Sequence, residues 1–406
     1  MMQGACFEAV DRTLRDIMDN EVEPFGGKVM GFSRDHRQIL PVLRNATRAE
    51  TLKVCFKAPP LWKYLRQVRL IKNMRVKTAP DPDSAAELAE FSDFLLRIGE
   101  GRYPVSRDID ESDIFIPKTM CVGTSGCDNA SRAGESSDED SEYEFPNFAL
   151  LPPIMSVSEH ESDDDRCTQN VNALIGAVYP GVEGADLLDE YFVNRAILAP
   201  TNASVRRINE LVAKRLSRET REYRSNDSLD GPGDQNLFET EFLNSLNFSG
   251  MPPHKMVLKV DTPIIMIRNL NSDEELCNGT RLRVVSLREK CIDATIMSGT
   301  RRGQRVFIPR IVFLSDDEDK EFPFTLRRKQ SPVVPAFAMT INKAQGQSIH
   351  NVGIYLESPV FAHGQLYVAR SRVTSRKAIK IAIDSRAFDD SGAANAENIV
   401  YREIFQ

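Results

Sequence analysis

The sequence predicts an α/β fold interrupted by two insertions, a small β-barrel and a disordered acidic loop. Three observations lead to that expectation. Apolar residues recur at helical spacing in segments that alternate with short apolar strands. After Lys255 the pattern changes to short strands joined by Asn-Gly and Ser-Gly turns. Between about Lys118 and Thr168 the apolar period vanishes under Ser, Asp, Glu, Gly and Pro, a composition that cannot offset its ordering entropy.

Phe7, Val10, Leu14 and Ile17 recur at intervals of three, four and three, which places one apolar stripe on a helix over residues 4–18. Residues 28–32 read as a short buried strand that opens into the polar run Ser33-Arg34-Asp35-His36-Arg37-Gln38. An open α/β sheet places its chemistry at such strand ends. Gly26-Gly27-Lys28 falls short of a phosphate loop. Val29 offers no hydroxyl and Val22 stands where the first glycine is needed, so a turn is expected.

Trp62 reads as core. Ser84 and Glu87 form a capping-box pattern ahead of Leu88, Phe91, Leu95 and Ile98, and Gly99 ends that helix. Residues 195–200 read as a strand, and Val205, Ile208, Leu211, Val212 and Leu216 mark the helix after it, with Asn202 as its N-cap. Short strands over 263–268, 281–287, 291–297 and 305–313 predict the barrel, and 337–340, 352–356 and 379–383 return to the α/β sheet.

With 406 residues, 41% of them hydrophobic, the chain can bury a sizeable core in two or three domains. No run approaches the roughly 18 apolar residues of a membrane span, and the first residues form no signal-peptide pattern. Nucleus or cytoplasm is therefore expected, without a membrane partner. Seven cysteines, spread without a Cys-x-x-Cys or a nearby His pair, predict reduced thiols and no structural metal. The formal charge of −7 conceals an asymmetry. Residues 135–165 hold eleven acids and no Lys or Arg, and setting these aside leaves +4 for the remainder, which permits a basic groove.

The strongest signal lies in Thr340-Ile341-Asn342-Lys343-Ala344-Gln345-Gly346-Gln347-Ser348 and Tyr367-Val368-Ala369-Arg370-Ser371-Arg372-Val373-Thr374-Ser375. Further blocks precede them in order. These are Phe7-Glu8-Ala9-Val10-Asp11-Arg12-Thr13-Leu14-Arg15-Asp16, Arg37-Gln38-Ile39-Leu40-Pro41-Val42, Asn73-Met74-Arg75, Ala199-Pro200-Thr201-Asn202, Glu241-Phe242-Leu243-Asn244-Ser245-Leu246 and Leu276-Cys277-Asn278-Gly279-Thr280-Arg281-Leu282. Together they resemble a PIF-type DNA helicase of superfamily one, of the Helitron-associated branch.

The resemblance implies two RecA-like domains. Residues 1–76 would be a remnant of the first, and 77–255 with 325–406 the second. Residues 118–168 would be the acidic insertion and 256–324 a Src-homology-three-like barrel. It also implies 5′-to-3′ ATP-dependent unwinding on single-stranded DNA in repair, recombination or telomere maintenance, with ATP and Mg²⁺ as cofactors of a full-length member.

Carried over residue by residue, Gln38 resembles a γ-phosphate sensor. Arg75 and Arg372 resemble arginines that neutralise charge on the transferred phosphoryl, a role in which a finger is worth about 10³ to 10⁵ in rate. Gln345 and Gly346 would approach the nucleotide. Thr201, Asn202, His254, Lys255, Thr340, Asn342 and Lys343 would contact DNA. Plainer readings stand beside these: surface ion pairs for the arginines, a polar loop for 340–348, a helix cap for Thr201-Asn202, and a rigid turn for His254-Lys255.

The departures from the family pattern carry expectations of their own. No Gly-x-x-x-x-Gly-Lys-Ser/Thr loop occurs in the chain, and Met1 aligns just after the family's Walker B acids. This chain alone is therefore expected neither to hold nor to hydrolyse ATP, and residues 1–76 to be its least stable part, with exposed apolar faces on 28–32. Ser33-Arg34 replace two family glycines, so a strained backbone or a displaced Gln38 is expected. Arg370 stands where an apolar residue is usual. The alternatives are a non-catalytic nucleic-acid-binding protein, or an adaptor that meets a protein partner through its acidic, Ser-rich loop.

Overall fold

Four parallel strands form the platform, in the spatial order Ala338–Thr340, Arg195–Ala199, Asn351–Leu356, Ile379–Ile383. The computed structural model describes residues 3–43, 46–57, 60–103, 113–116, 120–122, 163–184, 187–230, 238–248, 250–315, 322, 324–383 and 394–405. Strands this apolar need cover on both faces, and they have it. Helices Asp163–Val178 and Asn202–Arg215 bury Leu174, Val178, Ile208 and Val212 against Ile197, Ala199 and Tyr355. On the other face Pro82–Gly99 and Gln365–Arg370 bring Phe91, Phe94, Ile98 and Val368 onto Leu198, Ile354 and Ile381. Gly353 allows the close approach of the first layer, since a Cβ there would lie 2.8 Å from Val178.

Several expectations shift at their edges. The Pro82–Gly99 helix starts before the Ser84 pattern: Asp81 caps it, accepting from Ser84 N at 2.7 Å, and Pro82 takes the first position where its missing N–H is harmless. Thr201, not Asn202, caps the next helix, accepting from Ser204 N at 3.2 Å. Within the segment 118–168, residues 120–122 and 163–168 take up definite structure. Met120 is buried, Val122 N donates to Ile381 O at 2.8 Å, and the Asp163–Val178 helix begins inside the segment. Its first turn is Asp-Asp-Asp-Arg, so apolar periodicity cannot reveal it. The remainder, with most of the acidic run, lies outside the described residues.

The insertion is a five-stranded antiparallel sheet in the order Val333–Pro335, Pro263–Met266, Arg281–Leu287, Cys291–Ile296, Arg305–Pro309. Its neighbours extend beyond the expected limits of 256 and 324. Thr220–Arg224 pairs with Lys255–Lys259, while Leu326–Gln330 lies between Ile311–Leu314 and Asn226–Leu229. Tyr223, Met256 and Leu258 share one core with Val284 and Ile292. The expected strand 305–313 therefore breaks at Arg310 into two strands serving different sheets.

Near the N-terminus, Gly4–Ile17 is helical as the spacing predicts, yet its stripe is half used. Phe7 meets the ring of Phe32 at 5.3 Å, and Phe56 joins Phe32 and Trp62, whereas Val10 and Ile17 are exposed. Residues 28–32 are extended but pair with no strand among the described residues, and Val29 is fully exposed. A lone strand has no partner for its N–H and C=O groups, so the expected strand becomes an arm. Gly26 and Gly27 form a turn at φ 62° and 79°, packed so tightly on the helix that a Cβ on Gly26 would lie 2.6 Å from Leu14 O. No helix among the described residues is long and apolar enough to cross a membrane.

Candidate functional site

The expected DNA-contacting residues of the α/β domain meet where parallel strands end. Thr340 pairs with Ala199 in register, and Ile341 N donates to Ala199 O at 3.1 Å, so the 340–348 loop and Thr201-Asn202 leave the sheet side by side. Asn202 is exposed at the first helical position and Lys343 is exposed on the loop. Asn342 is held from behind: its Oδ1 accepts from Gln365 Nε2 at 3.0 Å. Gly346 has φ 83°, with nothing within 4 Å of the place a Cβ would take, so its backbone is open to a ligand.

A seam joins this loop to residues 33–38. Gln345 Nε2 donates to Gln38 Oε1 at 2.9 Å, and Tyr367 OH donates to Asp35 Oδ2 at 3.0 Å. His363 Nε2 lies 2.8 Å from His36 O, while its Nδ1 accepts from Tyr401 N at 2.8 Å. The ring is therefore neutral with its proton on Nε2, and burial holds its pKa below the ordinary value. Arg37 bonds Glu100 at 3.0 Å through Nε. Neither Ser33 nor Arg34 has positive φ, and Gln38 still reaches Gln345, so replacing the two glycines neither strains this backbone nor removes Gln38 from the seam.

Arg75 and Arg372 approach the same region in different states. Arg75 is exposed on the short Met74–Lys77 helix, whose N-cap Asn73 accepts from Arg75 N at 3.0 Å. Arg372 is buried and committed, with Nε on Val368 O at 2.8 Å and Nη1 on Gln347 O at 3.0 Å and Ala344 O at 3.3 Å. Its guanidinium thus braces the 340–348 loop. Burial lowers its pKa first, Tyr367 opposes this, and the positive charge of Arg75 lowers it further. Arg370 is buried in the core, its guanidinium 5.5 Å from the Phe94 ring, and its pKa falls to about 10 through burial.

Across from the loop stand the turns of the insertion. A cleft of about 690 Å³ separates Lys343, Gln345 and Gln347 from Asn278, Thr280 and Ser298. His254 and Lys255 have partners of their own on and beside the Thr220–Arg224 strand. His254 Nδ1 is 2.8 Å from Ser225 Oγ, and Lys255 Nζ is 2.7 Å from Glu222.

Sequence reasoning missed Asp35, His363, Gly364, Gln365 and Tyr367. One signal was present: Gln365 begins an apolar run, and a polar side chain in such a run must find a partner inside.

Comparison with known proteins agrees with this geometry. The PIF1-like helicase family matches residues 1–108, and the 2B domain of DNA helicase Pif1 matches residues 241–287. The ATP-dependent DNA helicase PIF1 of Emericella nidulans is 26% identical over 230 residues, 45% of this chain and 30% of that protein. PIF6 of Trypanosoma brucei brucei is 29% identical over 150 residues, 36% of this chain and 18% of that protein. The chain thus spans less than a third of the length of these curated relatives. Bacteroides Pif1 bound to single-stranded DNA superposes with a TM-score of 0.55 at 17% identity, covering 98% of this chain and 75% of that one. Candida albicans Pif1 gives 0.54 at 17% identity, covering 100% and 73%. Sequence blocks, family matches and fold agree: the chain is similar to the PIF1-like helicases over residues 1–108 and to the 2B domain of DNA helicase Pif1 over 241–287, and it shares the fold of the solved Pif1 structures.

Proposed function

We propose that the chain serves a PIF-type DNA helicase: it binds single-stranded DNA along the ends of its parallel strands and links that contact to a phosphate-sensing seam. The Gln345–Gln38 bond carries this reading, because it joins the loop expected on DNA to the loop expected on the nucleotide. In it, Thr201, Asn202, Thr340, Asn342 and Lys343 face DNA, with His254 and Lys255 as further contacts. Gln38, Arg75, Gln345 and Gly346 face the nucleotide, and Arg372, expected there too, supports them by holding the 340–348 loop from within.

The residues present fit one side of a triphosphate. Arg75 is exposed, with no ion pair among the described residues, and Arg372 braces the loop beside it. The phosphate-cradling sequence is not among these 406 residues. ATP-driven 5′-to-3′ movement with Mg²⁺ therefore requires a phosphate loop from outside them, and this polypeptide by itself turns over no ATP. The same missing sequence favours a second reading, a non-catalytic single-strand-binding protein. The acidic run 135–165 is assigned to a protein partner, and its deletion is expected to leave DNA binding intact.

Fluorescence anisotropy with a labelled oligothymidylate tests the binding. Log affinity should fall linearly with log salt, and Lys343→Gln should reduce that slope by roughly 0.7, the share of one phosphate contact on a single strand. Absence of binding at low salt overturns the reading. An ATPase assay with the oligonucleotide, alone and after adding a polypeptide that carries the phosphate loop, separates helicase from passive binder.

A further inference from the structure

Arg281 begins a strand of the insertion sheet, but its guanidinium leaves that sheet. Nη2 donates to Phe192 O at 3.0 Å and to Arg195 O at 3.3 Å, and Nη1 donates to Val193 O at 3.2 Å. These carbonyls belong to the end of the Asp189–Val193 helix and the start of the Arg195–Ala199 strand. Helix geometry leaves the carbonyls of Phe192 and Val193 without their regular partners four residues on, so a cation there is favoured, although Asn194 N–H also points at Phe192 O. The side chain is buried, and no carboxylate among the described residues pairs with it.

Other ties converge on the same boundary. Arg283 bridges Asp189 and Asp261, each at 2.7 Å, Arg302 reaches Glu190 at 2.9 Å, and Met297 packs fully buried with Phe192 and Phe337. The insertion is thereby keyed to the Arg195–Ala199 strand of the platform. The two walls of the 690 Å³ cleft belong to the two sides of this boundary: the 272–280 and 298–299 turns on one, Lys343–Gln347 on the other.

The lining has a chemical character. Among the described residues no aromatic ring contributes to it, and Lys343 is its one cation. Its acid, Glu275, is occupied by the neighbouring turn, accepting from Thr300 Oγ1 at 2.5 Å and Arg301 N at 3.1 Å. Gly279 and Gly346, at φ 96° and 83°, leave free space where a Cβ would stand, and the N–H of Gly279 is held by Met266 O at 2.9 Å. Such a wall suits a sugar–phosphate chain rather than stacked bases.

Resting on the single-strand reading above, we propose that Arg281 is a positioning residue for it. Arg281 locks the insertion onto the α/β domain, holding the cleft at one width so that a single nucleic-acid strand enters a preorganised channel and meets Lys343 and the side-chain-free surface at Gly279 and Gly346. Preorganisation of this kind raises affinity by removing the ordering cost of closure.

The experiment compares the wild type, Arg281→Gln, Arg281→Lys and Lys343→Gln with labelled oligothymidylate and with a mixed-sequence oligonucleotide. Backbone amide exchange of residues 272–280 is followed in the free proteins. Arg281→Gln is expected to bind roughly tenfold more weakly on both oligonucleotides with the salt slope unchanged, since it touches no phosphate, and to exchange faster in 272–280. Arg281→Lys should recover part of both effects. Wild-type affinity and exchange in Arg281→Gln overturn the proposal, and so does a reduced salt slope, which would make Arg281 a phosphate contact. Should Arg281→Gln fail to fold, the double variant Arg283→Ala/Arg302→Ala carries the same expectations and the same overturning results. If the wild type binds neither oligonucleotide, the single-strand reading and this use of Arg281 both fall. Binding by the wild type with an indifferent Arg281 removes the positioning role alone.

Discussion

Gln345 donates from Nε2 to Oε1 of Gln38 at 2.9 Å, closing a hydrogen bond across 307 positions of sequence. It is a neutral pair in a part-buried seam, so its net worth is about 1 kcal/mol. A double-mutant cycle of Gln38→Ala and Gln345→Ala, read by urea denaturation, should return a coupling of roughly that size. Simple additivity of the two single losses would show that the bond contributes nothing in solution.

Gly364 allows the 33–38 loop to dock. It has φ 70°, and a Cβ there would lie 2.2 Å from Arg37 O and 2.9 Å from the carbonyl carbon of Gln38. Gly364→Ala therefore combines left-handed strain with a backbone clash that no rotamer relieves. A loss of about 2–4 kcal/mol is expected, with faster amide exchange in residues 33–38. A loss under about 0.5 kcal/mol would mean that the loop and the Gln365–Arg370 helix do not pack as described.

What the sequence disclosed and what it hid follow from the range of the forces involved. The Gly4–Ile17 and Pro82–Gly99 helices and the Arg195–Ala199 and Ile379–Ile383 strands show in local apolar spacing, because burial on one face or both writes a period into the chain. Thr220–Arg224 carries no such period: only Tyr223 of its five residues is buried, and pairing with Lys255–Lys259 decides its conformation. The quoted blocks placed Gln38, Gln345, Arg75 and Arg372 in one region. They did not reveal that Arg372 spends its donors on the carbonyls of Ala344 and Gln347, since a contact to backbone leaves no mark on the identity of the residue contacted.

His36 gives the seam a pH dependence. Burial chiefly, then the charges of Arg34 and Lys57, lower its pKa from 6.5 to about 4, with Asp35 opposing. The unfolded chain takes up a proton near 6.5 and the folded one only near 4. Stability is therefore full above 6.5, declines as pH falls toward 4 and levels off below. His36→Leu removes the uptake and keeps an apolar neighbour for Trp62, whose ring lies 6.3 Å from that of His36. The urea midpoint of the wild type should fall more than that of His36→Leu between pH 6.5 and 4. Parallel curves would show that His36 titrates as freely in the folded protein as in the unfolded.

Arg328 and Asp227 form a pair in which both side chains are fully buried, with Nη2 on Oδ2 at 2.7 Å and Nε on Oδ1 at 3.0 Å. The same guanidinium reaches Leu246 O at 3.1 Å and Pro252 O at 3.2 Å, fixing the chain that leads into His254. Asp227 also accepts from Ser225 Oγ at 2.6 Å. The hydroxyl proton is thus engaged, and His254 Nδ1, 2.8 Å from that oxygen, must be the donor to it. Asp227→Asn leaves a buried cation uncompensated and should cost about 3–5 kcal/mol. Asp227→Asn combined with Arg328→Met should cost less than Asp227→Asn alone, because the stranded charge goes with its partner. If the double variant is the less stable, by denaturant midpoint, the carbonyl contacts of Arg328 outweigh the ion pair, and its main role is to hold the turn before His254.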